Sequence, residues 1–569
     1  MKLNSSLNVN VKENDNNNQS LLYKLFKSSN IIKVEYIIST IIAIFSLTYY
    51  SMNAGYISYN LIINNNIKLE SLNSDKAYLS SYRDFSDGQW MFIRDKYFTH
   101  ILLLTILIPV GRLMKKESIT LYKIFLGFFG IIFSFYLIQL RFIYILLSSL
   151  IFYNIRFLQD IIINEKIYIL INYIILFFIK AIFEHLKNNH DINNIKFLKN
   201  FPKIDDVSWQ CLYLFSLFKM ISFNMEYKTS CLNRFNKNYI EDLQKAKEHC
   251  QKCSKGEFCS ECLDNTILDK EYDFSFLNYI CYIFYPYLLF NGPIIHYNSF
   301  IFQINNFNHS EHNNLFNIPK LLYLLKYILL FLIIEFYNHY IYSISIFKNI
   351  NDPQNYLSLF YYCFLLLHVL IFIYMKWSLI WKTGALYAYY DGIYIQNNSK
   401  IIIFNNVTEF FRGWNISFHK WILKYVYDPL DGDKNKIRNI FIIFGFMFIL
   451  IDISNWNYFI IIICCASLFN LEIYVKNKIT SLIRDDYKNF FYIRYLKYLY
   501  GCICFIFLCS ICLSVYGFSV SNILSVIKQT GGIFYFIKII IFILPIIIMS
   551  FFIKDFEQEN KNEYKRLYF

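Results

Sequence analysis

The chain has 569 residues, of which 56% are hydrophobic and 20% aromatic but only 17% charged. Soluble domains carry roughly 25% charged residues, and the apolar excess here falls in runs. A soluble enzyme, a disordered chain and a fibrous repeat are therefore excluded. The net charge of +14 would suggest nucleic acid as a partner for a soluble protein. Here Arg112, Lys115, Lys116, Lys196, Lys199 and Lys203 flank apolar runs, where basic residues fix membrane topology, so no nucleic-acid partner is expected.

Sixteen Gly and eight Pro are few against typical usage of roughly 7% and 5%. The apolar runs do not alternate with polar residues, as strands of a membrane barrel would. An all-α polytopic membrane protein follows, with about eleven transmembrane helices plus re-entrant or interfacial ones. In chain order the candidate segments are 32–55, 98–113, 120–138, 140–158, 165–184, 208–224, 274–291, 319–344, 356–382, 437–453, 457–475, 490–517 and 531–553. Residues 1–30 read as a disordered polar tail without a cleavable secretory signal. Residues 31–555 read as one transmembrane domain with polar loops near 60–97, 186–207 and 225–273, and 556–569 as a charged tail. No internal repeat is visible, so a transporter built from inverted repeats is not signalled.

Four features carry chemistry. Cys250, Cys253, Cys259 and Cys262 form C-x2-C-x5-C-x2-C in a polar loop. Four thiolates at such spacing can hold zinc, although the middle spacer is short beside the roughly 12–20 residues of common sites. Two disulfides in a lumen, or free or acylated thiols, are the other readings. His296 follows Asn291-Gly292-Pro293, a break that exposes backbone groups to a cavity. Arg141, Lys219, Glu335, His339, His368 and Asp452 are ionisable residues inside apolar segments; Glu335 and His339, four apart, can pair.

The fourth feature is the stretch 391–436, which holds Asp391, Gly392, Arg412, Asn415, His419, Lys424, Asp428 and Asp433 between apolar segments. Trp414, Phe418, Trp421 and Tyr425 recur at three- and four-residue spacing, the pattern of a helix lying in the interface or lining a cavity. Asn415 and His419 fall on one helical face, roughly 5–6 Å apart at Cβ. A His there can take a proton from a hydroxyl while the Asn bonds the imidazole or the substrate. The alternative is a hydrated His at headgroup level with structural contacts only.

Several segments together resemble the membrane-bound O-acyltransferase (MBOAT) family, in the glycerol-uptake-protein branch related to hedgehog acyltransferase. They are Ser86-Asp87-Gly88-Gln89-Trp90 with Arg94, Met220 to Tyr227, Tyr285-Pro286 with Asn291 to Ile295 and Asn298, and Asp391-Gly392. The last is Arg412-Gly413-Trp414-Asn415 with His419, Trp421 and Tyr425 to Leu430. The matches keep family order from about residue 84 to 453.

The resemblance implies a helical fold around a central tunnel and transfer of a fatty acyl group from acyl-CoA to a lipid hydroxyl. The acceptor would be a membrane lipid, such as a lyso-GPI anchor being remodelled, in the endoplasmic reticulum. No cofactor is required beyond acyl-CoA as co-substrate. Asn415 matches the partner of the family's His, with Trp414, His296, Asn291, Asp452 and Arg412 as tunnel-lining support. The His itself belongs at Ile451, and no His lies among residues 420–569. Losing a general base costs roughly 10²–10⁴-fold. Either His419 supplies the base, or the chain is an inactive relative that binds lipid or partners. Transport of glycerol or another solute is the third reading.

Overall fold

A computed structural model describes residues 29–64, 83–158, 162, 164–188, 206–233, 263–264, 266, 268, 272–289, 292–306, 318–349, 359–395, 406–451, 456–482, 491–515 and 533–559. The four cysteines 250, 253, 259 and 262, as well as Asn291 and Asp452, lie outside these residues, as does the N-terminal tail up to residue 28. The described residues are mostly helical with short connections between, as expected for an all-α polytopic membrane protein. They run α1 (Ser29–Asn64), α2 (Gly88–Glu117), α3 (Ile119–Ile138), α4 (Phe142–Ile155), α5 (Glu165–Asn188) and α6 (Asp206–Asn233). Two short helices follow, α7 (Phe276–Ile283) and α8 (Tyr297–Asn305), then α9 (Ile318–Tyr340), α10 (Ser343–Asn349) and α11 (Leu359–Tyr390). After α12 (Val407–Gly413) and α13 (Ile416–Ile422), a π-helical segment (Leu423–Tyr427) leads towards α14 (Lys436–Ile451), α15 (Trp456–Leu482), α16 (Phe491–Val515) and α17 (Ile533–Glu559).

Five described helices are long and apolar enough to cross a membrane: Val34–Asn60, Gly88–Glu117, Ile119–Ile138, Leu321–Tyr340 and Phe364–Tyr390. About eleven were expected of the whole chain; among the described residues two features lower the number. Some apolar helices are short, as at Phe142–Ile155. Others carry charge inward: α6 holds Lys219, Glu226 and Lys228, all buried. The span expected at 274–291 is broken, ending as α7 at Ile283 and re-forming as a short turn at Pro286–Leu288.

Local chemistry sets the boundaries. The loop expected up to residue 97 ends ten residues early because Asp87 caps α2, its Oδ1 accepting from Trp90 N at 2.7 Å. The other carboxylate oxygen of Asp87 meets Lys376 of α11 at 2.6 Å, both side chains buried. Glu335 of α9 does not pair with His339. It turns to Arg83 (2.5 Å) and Arg94 (3.2 Å) and accepts from the Trp90 indole at 2.9 Å. Charges buried this way require partners, since an unpaired one costs several kcal/mol. Lys219 satisfies the same rule by donating to the Ile283 carbonyl at the end of α7 (3.3 Å), and Lys180 of α5 donates to the Leu450 carbonyl at the end of α14 (2.5 Å). Arg141 sits in a turn between α3 and α4 rather than inside a span. His368 is buried against the rings of Tyr337 and Phe364.

Neighbouring helices pair as α2 with α3, α9 with α11, α4 with α6, α14 with α15 and α1 with α17. The main core runs from Trp90 and Tyr97 through Tyr279, Tyr282 and Tyr297 to Trp421. Helix α3 crosses the end of α7 at Gly130, where an added Cβ would lie 1.6 Å from the Phe284 carbonyl oxygen. Gly130→Ala should therefore force the two backbones apart and destabilise the protein by about 1–3 kcal/mol. The check is the melting midpoint of the purified protein, followed by fluorescence-detected size exclusion; an unchanged midpoint would contradict this crossing.

Candidate active site

The break after α7 frees backbone groups inside the assembly, and side chains answer them. Tyr282 Oη donates to the Ile295 carbonyl at 2.6 Å, and the Ile294 N–H donates to Ser417 Oγ at 3.1 Å. Ser417 Oγ in turn donates to Asn415 Oδ1 at 2.9 Å. The chain then enters α8 at His296, which is buried.

His296 Nδ1 lies 3.3 Å from Asp264 Oδ1, and Lys420 Nζ lies 3.1 Å from the other oxygen of the same carboxylate. These three side chains line a cavity of about 30 Å³ together with Ser417, Ile294 and Tyr394. That volume holds about one water or hydroxyl. Burial would push the Asp264 carboxyl up, but the bond to and charge of His296, with Lys420 beyond, outweigh it and hold the group below its usual range. Burial pushes His296 down; Asp264 opposes this, Lys424 adds to it, and Glu226 opposes it weakly.

Further polar residues close behind the pair. Lys424 Nζ meets Glu226 Oε1 at 2.6 Å and donates to the Asp264 carbonyl at 2.6 Å and to Asn298 Oδ1 at 3.3 Å. Asn298 Nδ2 also donates to the Asp264 carbonyl, at 2.8 Å. Tyr425 Oη donates to Glu226 Oε1 at 2.7 Å, and the Tyr425 ring stands edge-on to His296 at 5.3 Å. Ser222 Oγ contacts Tyr425 Oη at 2.8 Å and accepts from Tyr297 N at 3.0 Å. The π segment, a geometry that recurs at functional sites, presents Lys424 and Tyr425 to these partners.

The side-chain pair expected between Asn415 and His419 does not form. Asn415 is the N-cap of α13, its Oδ1 accepting from Phe418 N at 3.0 Å as well as from Ser417. A cap residue precedes the helical φ/ψ and faces the first turn, so the four-residue spacing no longer brings the two side chains together. His419 makes no side-chain hydrogen bond among the described residues. Burial and the charge of Arg412 push its pKa down to about 4. Arg412 is exposed, and Trp414 is half-buried between Phe410 (5.4 Å) and Trp381 (6.4 Å). Ile451 is the last residue of α14. Among the described residues no cluster of three or more His, Cys, Asp or Glu could hold a metal.

Of the residues around His296, Glu226 and Ser222 carried a signal in the sequence: they stand four apart within the motif Met220 to Tyr227. Lys420 and Lys424 also repeat at four residues. Asp264 carried none, being one of several acidic residues in a polar loop.

The family profile described as MBOAT, membrane-bound O-acyltransferase, matches residues 173–515, more than half of the chain. The chain belongs to the membrane-bound O-acyltransferase family. Among similar proteins is the membrane-bound O-acyltransferase gup1 of Schizosaccharomyces pombe, 27% identical over 404 residues, covering 67% of this chain and 66% of that protein. The GUP1 protein of Candida tropicalis is 28% identical over 417 residues, covering 69% and 66%. That of Saccharomyces cerevisiae is 27% identical over 284 residues, covering 47% and 46%. The chain thus spans just under two thirds, or less, of the length of these relatives. The MBOAT match contains every residue of the His296 cluster, whereas α1 to α4 precede it.

If Asn415 acts through its cap, Asn415→Ala should lower stability by about 1 kcal/mol while Asn415→Ser restores it. Thermal midpoints of the three proteins check this. Equal losses in the Ala and Ser variants would point to another role for the amide.

Proposed function

We propose that this chain transfers a fatty acyl group from acyl-CoA to a lipid hydroxyl, with His296 as the general base. The observation that carries the reading is the His296–Asp264 pair at a cavity with Lys420 on its wall. His296 Nδ1 stands within ion-pair distance of the carboxylate without an aligned hydrogen bond, and in the proposed reaction Nε2 is the nitrogen that accepts the proton. The acceptor oxygen attacks the thioester carbonyl as its proton passes to Nε2. Lys420 offers positive charge to the carbonyl oxygen as it becomes an oxyanion. The adduct collapses, the C–S bond breaks, and the thiolate of CoA takes the proton back from the imidazolium. A cavity of hydroxyl size suits the reacting group, the lipid tails lying outside it.

His419 is the weaker choice. No carboxylate orients it among the described residues. A lyso-GPI lipid is one acceptor of the proposed class, and the endoplasmic reticulum the proposed membrane.

The test is transfer of labelled palmitoyl from its CoA ester to lysophospholipid or lyso-GPI by the purified protein in detergent. His296→Gln should lower the rate by about 10²–10⁴-fold, and His419→Ala should change it by much less. Unchanged transfer in His296→Gln would refute the assignment. The second reading, an inactive relative that binds lipid, is favoured by Ile451 at the end of α14. It expects no transfer by the wild type, binding of acyl-CoA, and transfer gained on Ile451→His.

A further inference from the structure

Lys424 has three oxygen partners from three segments: the Glu226 carboxylate on α6, the Asp264 carbonyl in the loop before α7, and the Asn298 amide oxygen on α8. Asn298 stands two residues beyond His296 on the same helix, and Asp264 is the residue that faces the imidazole. The ammonium therefore joins the segment carrying the carboxylate to the helix carrying the base. A lysine meeting an exposed carboxylate would be worth little, but here the Glu226 side chain is only 6% exposed and Lys424 25%.

We propose that Lys424 is a positioning residue for acyl transfer: it pins Asp264 against His296 and sets a fixed positive charge beside the imidazole. This rests on His296 being the base. The two effects have different signatures. The tie governs how well Asp264 orients the ring and so affects rate at every pH. The charge opposes protonation of the ring and so governs where activity fails on the acid side.

Charged and titratable groups surround His296 from several elements, Tyr394 on the cavity wall among them. Glu226 lies on α6, Asp264 in the loop, Lys420 on α13, and Lys424 and Tyr425 in the π segment, while Tyr297 and Asn298 share its own helix. Two carboxylates favour the imidazolium and two ammoniums disfavour it. Removing a positive charge should then extend protonation to higher pH, and removing a negative one should confine it to lower pH. In the structure Lys424 pushes the His296 pKa down and Glu226 pushes it up.

The experiment is the pH profile of kcat/KM for transfer from palmitoyl-CoA to lysophospholipid by the full chain in detergent. It compares wild type with Lys424→Met, Lys424→Arg, Glu226→Gln and His296→Gln. The acid limb should move up by about one pH unit in Lys424→Met, stay in place in Lys424→Arg, and move down in Glu226→Gln. Damage to packing alone lowers the whole curve and does not shift two variants in opposite directions. A limb that stays put in both Lys424→Met and Glu226→Gln, while His296→Gln still abolishes transfer, would overturn the proposal and leave the base assignment standing. Transfer that survives in His296→Gln would overturn both.

Discussion

Pro286 and Pro293 stand in the middle of an apolar assembly, and neither can extend a helix through the other. The backbone groups they release must find partners where little water reaches them. The architecture around 284–296 follows from that need. Tyr282 answers one carbonyl, Ser417 answers one N–H, and Ser417 is itself held by Asn415. Solving the backbone problem places α13 against the break, and so brings Lys420 and Lys424 to His296. The site is a by-product of satisfying a broken helix.

Charge is handled by the same logic. Among the described residues, two of the clusters of ionisable groups show it. At one, Asp87 meets Lys376, and Glu335 gathers Arg83 and Arg94. At the other, Glu226 and Asp264 meet Lys424 and Lys420. Neither cluster asks a bare charge to stay away from water. Both tie distant parts of the chain together, Arg83 to Glu335 and Glu226 to Lys424.

Long, Gly-poor apolar runs made most helices legible, and the order of segments read from the sequence is the order found. What was not legible depended on partners remote in the chain. The start of α2 was missed because Gln89, Arg94 and Asp95 read as loop, and only the Asp87 cap, braced by Lys376, fixes it. His296 could be found from the Asn-Gly-Pro break. Its partner Asp264 could not, since nothing local marks one acid in a polar loop. Asn415 was found for the wrong geometry: the sequence shows a spacing of four, but whether a residue caps a helix or lies within it depends on its φ and ψ.

The π segment adds one more consequence. A π turn behaves as a single extra residue accommodated within a helix. Everything before it keeps one facing and everything after it is rotated by about 100°, the angle of one residue in a 3.6-residue turn. Trp421 faces the core before that seam, and Lys424 and Tyr425 reach Glu226 from within it. Were the chain one residue shorter between Leu423 and Tyr427, the same amino acids would wind as an uninterrupted α-helix. The seam would then vanish, and the residues beyond Tyr427 would be turned relative to Lys420 and Trp421.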